Sequence, residues 1–371
     1  MVAKAGRPED KPDTSEMYLV ARLYYKENVG RYEIAKRLHM DTRKVNRLLA
    51  QALALGVVRI DIRETVDGEI GARLQRKFPK LERVFIVPGP EVKTMEQCDD
   101  LFRRFGVLAA DYFEELLEHH PPGERFHIGV GGGMRLLEFA TAVRPRIRDM
   151  VRIHTTALIG RGELGADTSF VEPSVAATAL WNNCGSVGGN CRYVTVEPYW
   201  YETLHVEKKR GVIDAPRALI AKGIARLEKL STVQSTIRDM ENLDAVIAGF
   251  GYVDVANEDI GIRNRMAMFN LLQPFVRRNE LVSEEVIGDF SYCLFDANGD
   301  SDEAWRFFLT AGHFSEHPGV DFYKHMVATG KKVVGIGGPY VSTAIKVALK
   351  AEIVNVLIVD EFTARQIADA S

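Results

Sequence analysis

Cysteine is scarce in this chain. Cys98, Cys184, Cys191 and Cys293 are the only four in 371 residues, too few and too scattered for a disulfide framework, and Cys184 and Cys191 lack the neighbours of a zinc site. Reduced thiols and a cytoplasmic setting are the expectation. No uninterrupted run of about 18 apolar residues occurs, so no membrane span is expected. The opening MVAKAGRPEDKPDTS has no apolar stretch and does not read as a secretory signal. His313 and His317 stand four apart, but Gly312 and Pro318 bracket them and no third ligand is evident, so no metal is expected. No catalytic Ser/His/Asp or Cys/His set follows from sequence order, and no cofactor fingerprint is complete. There is no fixed-period repeat. Nor is there a basic surplus: 48 Lys+Arg stand against 51 Asp+Glu, a net charge of −3.

That charge is unevenly placed. Residues 1–64 carry 13 Lys/Arg against 9 Asp/Glu, net +4, and the remainder carries 35 against 42, net −7. A basic end can steer toward phosphate while an acidic bulk limits indiscriminate binding to nucleic acid. The length is ample for two or more cores.

Four segments are expected. Residues 1–14 are polar, with Gly6, Pro8 and Pro12, and read as a disordered tail. Residues 15–62 read as three helices and a short strand at 57–62. Ser15 caps a helix over 16–27, Gly30 breaks it, and Ile34, Ala35 and Leu38 give a short second helix its inward face. Asp41 or Thr42 caps a third helix ending at Gly56, with Val45, Leu48, Leu49 and Ala52 inward. Residues 63–80, charged and carrying Gly68 and Gly71, read as a linker. Residues 81–371 alternate strands and helices in the manner of an α/β domain, with strands expected at 84–87, 126–130, 151–157, 192–196, 244–248, 333–336 and 354–359. Helices are expected at 95–118, 134–142, 173–183, 215–229, 233–240, 342–350 and 361–369.

The second and third helices with the break between them read as a helix-turn-helix. Arg31, Lys36, Arg37, Arg43, Lys44 and Arg47 stand there against Glu33 and Asp41. Arg meets guanine with two hydrogen bonds, Asn meets adenine, and the Thr methyl packs on thymine. Thr42, Arg43, Lys44, Asn46 and Arg47 are therefore the expected DNA-facing set, with Arg43, Lys44 and Asn46 reading bases. Arg31, Lys36 and Arg37, and alternatively Arg47, hold phosphates. A helical hairpin used for protein contacts is the competing reading. Double-stranded operator DNA read by one such unit offers few base contacts, so a pair of units, and hence an oligomer, is expected.

Three glycine-bearing stretches suggest where a small molecule binds. Gly129-Val130-Gly131-Gly132-Gly133-Met134-Arg135 runs from strand to helix, an arrangement that suits an anion at unpaired N–H groups. Gly131, Gly132, Gly133 and Met134 are candidate contacts, and Arg135 is the candidate partner for a carboxylate or phosphate unless Glu138 takes it. Asp289 and Asp296 form a polar cluster with Gly299. Their carboxylates suit sugar hydroxyls, although Asp296–Gly299 reads equally as a plain turn. Gly337-Gly338-Pro339-Tyr340 follows an apolar strand, and Asp360 ends another, NVLIVD. The carboxyl ends of parallel strands are where open α/β sheets bind ligands, making Gly338, Tyr340 and Asp360 candidates, while Asp360 serves equally as a helix cap.

These motifs, in order, resemble the SorC/DeoR family of bacterial sugar-responsive regulators. The resemblance runs from about Tyr18 to the end. It rests on Ile34-Ala35-Lys36-Arg37-Leu38 with Val45-Asn46-Arg47-Leu48-Leu49, on Gly129–Gly133, on Gly288-Asp289 with Phe295-Asp296 and Gly299, and on Gly337-Gly338 followed by Asn355-Val356-Leu357-Ile358-Val359-Asp360-Glu361. It implies an N-terminal helix-turn-helix followed by a Rossmann-like effector domain resembling sugar-phosphate isomerases. It further implies a sugar, polyol or sugar-phosphate effector, dimers or tetramers, and control of a catabolic operon. An isomerase or deaminase carrying a DNA-binding module is the alternative. The chain departs from the family where a hydroxyl residue usually follows the first glycine loop (here Met134 and Arg135) and where a lysine usually follows the Gly-Gly pair (here Val341). Asp41-Thr42 and Asn46 also depart, in the reader, so the operator sequence does not carry over. Segments 185–212 and 250–280 match the family poorly.

Overall fold

The structure is a computed structural model describing residues 14–27, 29–58, 68–143, 151–158, 173–184, 189–192, 225–226, 229–251, 286–302, 310 and 316–369. The chain divides into two compact units, Met1–Glu64 and Thr65–Ser371. The expected tail lies outside the described residues apart from Thr14, which opens the first helix. Most of the expected strand at 57–62 and of the helix at 215–229 lies outside them too.

The smaller unit is helical. Helix α1 spans Thr14–Ala21 and continues as a π-helical turn, Arg22–Lys26; α2 spans Arg31–Arg37 and α3 spans Thr42–Ala54. One apolar cluster joins them, with Met17 and Val20 meeting Ile34, Val45, Leu48 and Ala52. The break between α2 and α3 is tight: His39 takes a left-handed backbone (φ 49°) and the Met40 amide donates to the Ala35 carbonyl at 2.9 Å. Asp41 then starts α3, its Oδ1 accepting the Arg43 amide at 2.8 Å. Gly56, at φ 72°, closes the far end.

The larger unit is built on a parallel sheet. Its strands are β1 (Arg83–Val87), β2 (Arg125–Val130), β3 (Arg152–Ala157), β4 (Cys191–Arg192), β5 (Ala245–Gly251), β8 (Lys332–Ile336) and β9 (Val356–Asp360), in spatial order β1-β9-β8-β5-β2-β3-β4. A hairpin of β6 (Gly288–Phe290) and β7 (Cys293–Phe295) pairs antiparallel with the end of β5. Helices α5 (Met95–Glu118), α6 (Met134–Ala142) and α7 (Pro173–Cys184) serve one apolar core. Helices α4 (Gly68–Lys77), α9 (Asp321–Ala328), α10 (Ser342–Lys350) and α11 (Glu361–Asp369) serve the other, and Met240 of α8 (Ser231–Glu241) also joins it.

The apolar run of β9 explains this layering. Val356 and Ile358 belong to one core, Leu357 and Val359 to the other. Alternate side chains leave a strand on opposite faces, so an unbroken apolar strand needs helices on both sides. Each such side chain, fully withdrawn from water, contributes roughly 1.5–3 kcal/mol.

One expectation is corrected here. The supposed linker at 63–80 contains α4, whose Ile70 and Leu74 are buried in the second core. Its charged residues lie on the outer face, with Arg73 paired to Asp369 at 2.6 Å. High charge and two glycines hid an amphipathic helix.

Candidate functional site

The order in which strands are added reverses beside β2. From β2 the chain steps outward to β3 and β4; from β5, on its other side, the next parallel strand is β8. Such a switch point leaves a crevice at the carboxyl ends of the strands. Gly131–Gly133 follow β2 there, Gly251 ends β5, Gly337 and Gly338 follow β8, and Asp360 ends β9.

Arg135 enters from the first turn of α6, after Gly133, whose φ of 97° suits glycine. Its Nη1 donates to the Ile336 carbonyl at 3.0 Å and its Nη2 to the Phe250 carbonyl at 2.8 Å. The guanidinium also lies over the Phe102 ring, 5.4 Å from its centre. Arg135 thus ties the ends of β5 and β8 to α6, and no bond to Glu138 is seen. Burial lowers its pKa, opposed by nearby groups including Asp289.

Asp289 is 4% exposed. Its Oδ2 accepts the Tyr292 amide at 2.9 Å, and its Oδ1 has no hydrogen-bond partner. Burial pushes its pKa up to about 7, against the Tyr292 amide and the Arg135 guanidinium, which pull it down. The amide it holds belongs to a two-residue turn. Ser291 and Tyr292, at φ 49° and 67°, join β6 to β7 with both residues left-handed. Hairpins of that kind favour Asn-Gly. A Ser-Tyr pair is costlier, and the Asp289 carboxylate braces it. Ser291 Oγ is buried too, beside the Tyr323 hydroxyl. Sequence reasoning missed this turn because Ser-Tyr carries no turn signal.

Asp360 is 5% exposed. Its Oδ1 accepts the Thr363 amide at 2.9 Å, capping α11. Burial raises its pKa, opposed by the amide and the hydroxyl of Thr363. Gly338 lies close by: a β-carbon there would stand 3.7 Å from Asp360 Oδ2. Tyr340 is left-handed at φ 71° and 40% exposed. Gly338 thus lies beside Asp360, and Gly251 lies opposite Asp289 across β5 and β6.

Asp296 differs. Its Oδ1 accepts the Asn298 and Asp300 amides at 2.8 and 2.9 Å, and its Oδ2 accepts Asn298 Nδ2 at 3.2 Å. It is consumed by its own turn, the plainer of the two readings of that stretch.

In the smaller unit α3 turns Arg43, Asn46, Arg47 and Ala50 to solvent on one face. Lys44 lies on a flank, its Nζ 2.7 Å from Glu16 of α1. Thr42 is half-buried. On α2, Lys36 is exposed, Arg37 pairs with Glu33 at 3.1 Å, and Arg31 lies over the Tyr24 ring. Among the described residues no group of His, Cys, Asp and Glu is arranged to hold a metal ion, and no helix is long and apolar enough to cross a membrane.

The full-length sorbitol operon regulator SorC of Klebsiella pneumoniae has a similar structure, with a TM-score of 0.65 and 15% identity, covering 97% of this chain and 100% of SorC. The chain has the SorC/DeoR regulator fold. A DeoR family transcriptional regulator from Listeria monocytogenes matches 82% of this chain and 100% of its own, at a TM-score of 0.54 and 14% identity. In sequence, the transcriptional regulator LsrR of Escherichia coli K12 is 28% identical over 157 residues, 40% of this chain and 46% of LsrR. The aligned region spans about half the length of the curated relatives it matches. No protein-family model matches the chain. The sheet, its two helical layers and the glycine loops at the strand ends thus agree with the fold that the motifs resembled.

Proposed function

We propose that this chain is a non-enzymatic, DNA-binding transcription regulator of a carbohydrate or polyol catabolic operon. A sugar, polyol or sugar-phosphate effector controls it. Residues 15–62 are the helix-turn-helix reader, and the α/β unit is the sensor and the site of self-association into dimers or tetramers. The observation that carries this reading is the row Arg43, Asn46, Arg47 and Ala50, exposed together on α3 behind a tight turn. A helix presenting arginine and asparagine with one small residue fits a major groove about 12 Å wide. The buried acceptor Asp289 suits a hydroxyl donor. The similar structures are themselves those of transcriptional regulators.

Effector binding then shifts the population between operator-competent and operator-incompetent arrangements, a coupling typically worth about 1–3 kcal/mol. Genomic footprinting of the protein, followed by duplex-binding measurements on the recovered site, tests the reading. Footprints beside sugar or polyol catabolic genes, lost in Arg43→Ala with helical content retained, are the expected result. Unchanged duplex affinity in both Arg43→Ala and Arg47→Ala would overturn it.

A further inference from the structure

The π-helical turn Arg22–Lys26 brings two adjacent tyrosines against one core. A π turn takes one residue more than an α turn and is often found at functional sites. Here the Glu27 amide donates to the Arg22 carbonyl at 3.2 Å and the Val29 amide to the Leu23 carbonyl at 2.9 Å. Tyr24 and Tyr25 are both half-buried and meet edge to face, with ring centres 4.9 Å apart. Arg31, the first residue of α2, holds its guanidinium over the Tyr24 ring, 5.1 Å from its centre. We propose that Tyr24 is a positioning residue for DNA binding: its ring holds the Arg31 guanidinium ready to grip one phosphate of the duplex backbone. The inference rests on the reading of this unit as a DNA reader and names a residue that acts behind the contact.

The state of the neighbouring charges singles out Arg31. The carboxylates nearest to it in sequence are engaged elsewhere, Glu27 with Arg22 at 3.0 Å and Glu33 with Arg37 at 3.1 Å. Lys44 is held by Glu16 at 2.7 Å. Arg22, Arg37 and Lys44 must each give up a carboxylate to reach a phosphate. Arg31 is exposed and is held by a neutral ring, so it gives up none. Attraction between the cation and the ring leaves the N–H donors of the guanidinium for another partner.

Its place in the fold fits the same role. In a helix-turn-helix the second helix enters the major groove while the first crosses the sugar-phosphate backbone. Arg31 opens that first helix. A long side chain that must be ordered on binding costs affinity, and one already held in place avoids part of the cost.

The test is duplex binding by the full chain over a series of salt concentrations. It uses the duplex recovered by footprinting and a mixed-sequence duplex, because a phosphate contact carries no base preference. Arg31→Ala is expected to weaken binding by the same factor on both and to lower the slope of log affinity against log salt by about 0.9, the value of one phosphate. Tyr24→Leu keeps an apolar side chain against the core. It should weaken binding about two- to fivefold with the slope kept, since the charge remains. Tyr24→Phe retains the ring and should match the parent. Arg31→Lys retains the charge without the planar fork and should fall between the parent and Arg31→Ala.

The double variant is the deciding measurement. Once residue 31 is alanine, Tyr24→Leu should cost nothing further. An equal loss in both backgrounds means that Tyr24 acts through the fold of the unit, and the proposal fails. It fails too if Tyr24→Phe loses as much as Tyr24→Leu. Should Tyr24→Leu unfold the unit, Arg31→Lys decides, and affinity equal to the parent's rejects a role for the held guanidinium. Parent binding that Arg31→Ala leaves unchanged removes the phosphate contact and leaves the DNA reading standing. No duplex binding by the parent removes both.

Discussion

Gly251 and Asp289 are register partners across β5 and β6, so closely set that a β-carbon on Gly251 would collide with Asp289 Oδ1. The carboxylate that braces the Ser291-Tyr292 turn therefore needs a residue without a side chain opposite it. Gly251→Ala is expected to force the carboxylate off the Tyr292 amide and release the strained turn, at a cost of about 1–3 kcal/mol. Gly249 on the same strand is the control, because a β-carbon there meets nothing nearer than 3.6 Å. Gly249→Ala should be within about 1 kcal/mol of the parent. Denaturant unfolding of the two variants decides it; equal losses would show that the Gly251–Asp289 contact carries no special constraint.

Periodicity made the sheet legible. The strands of the larger unit are apolar and bounded by glycine or charge, and parallel strands buried on both faces read that way. Helix α6 was readable from the glycines before it and the 3.6-residue pattern of Leu136, Phe139 and Ala140. Helix α4 was not, because only Ile70 and Leu74 are large apolar core residues within it and charge dominates the rest. In the site, Asp360 is legible as a strand-end carboxylate, whereas Arg135, read as a partner for a ligand carboxylate or phosphate or else for Glu138, bonds two main-chain carbonyls. Its bonds to Ile336 and Phe250 join residues 201 and 115 positions away, and no local pattern reports such a contact. The strain at Ser291 and Tyr292 was hidden for a related reason: a tertiary brace, Asp289, overrides local turn preference.

Two buried groups give opposite dependences of stability on pH. His127, 2% exposed, bonds Thr156 Oγ1 through Nε2 at 2.7 Å, and burial lowers its pKa to about 3, with nearby Arg125 adding to the shift. Unfolding lets it take a proton at its ordinary pKa near 6.5, so its contribution is complete above that value and is lost as pH falls toward about 3. Asp289, raised to about 7, behaves in reverse. Its folded form holds a proton that the unfolded chain releases near pH 3.9, so its contribution is present below about 4 and lost as pH rises toward about 7. Between about 4 and 6.5 the two slopes, each about 1.4 kcal/mol per pH unit at most, oppose one another. Asp289→Asn should expose the histidine slope: relative to the parent, the variant gains stability steadily from about pH 4 to 7 and is flat above. Urea unfolding at a series of pH values measures this, and a constant difference between variant and parent would contradict it.

Lys44 and Arg43 are adjacent in sequence but turned to different neighbours. Arg43 shares the exposed face of α3 with Asn46 and Arg47, whereas Lys44 lies 2.7 Å from Glu16 on α1, both side chains only partly exposed. A partly exposed pair of this kind contributes about 0–1 kcal/mol to stability. Its larger effect is to hold the lysine on a flank of α3, away from the row that would meet base edges. Arg43→Ala is therefore expected to weaken operator binding by about 1–3 kcal/mol and to relax preference at one base position. Lys44→Ala should leave that preference intact, with a smaller loss that shrinks as salt rises. Glu16→Gln removes the competing carboxylate and should strengthen binding slightly at low salt, with no change in sequence preference. Affinity measured on the operator and on single-base variants at two salt concentrations separates these outcomes. A change of base preference in Lys44→Ala, with none in Arg43→Ala, would reverse the roles given to the two side chains.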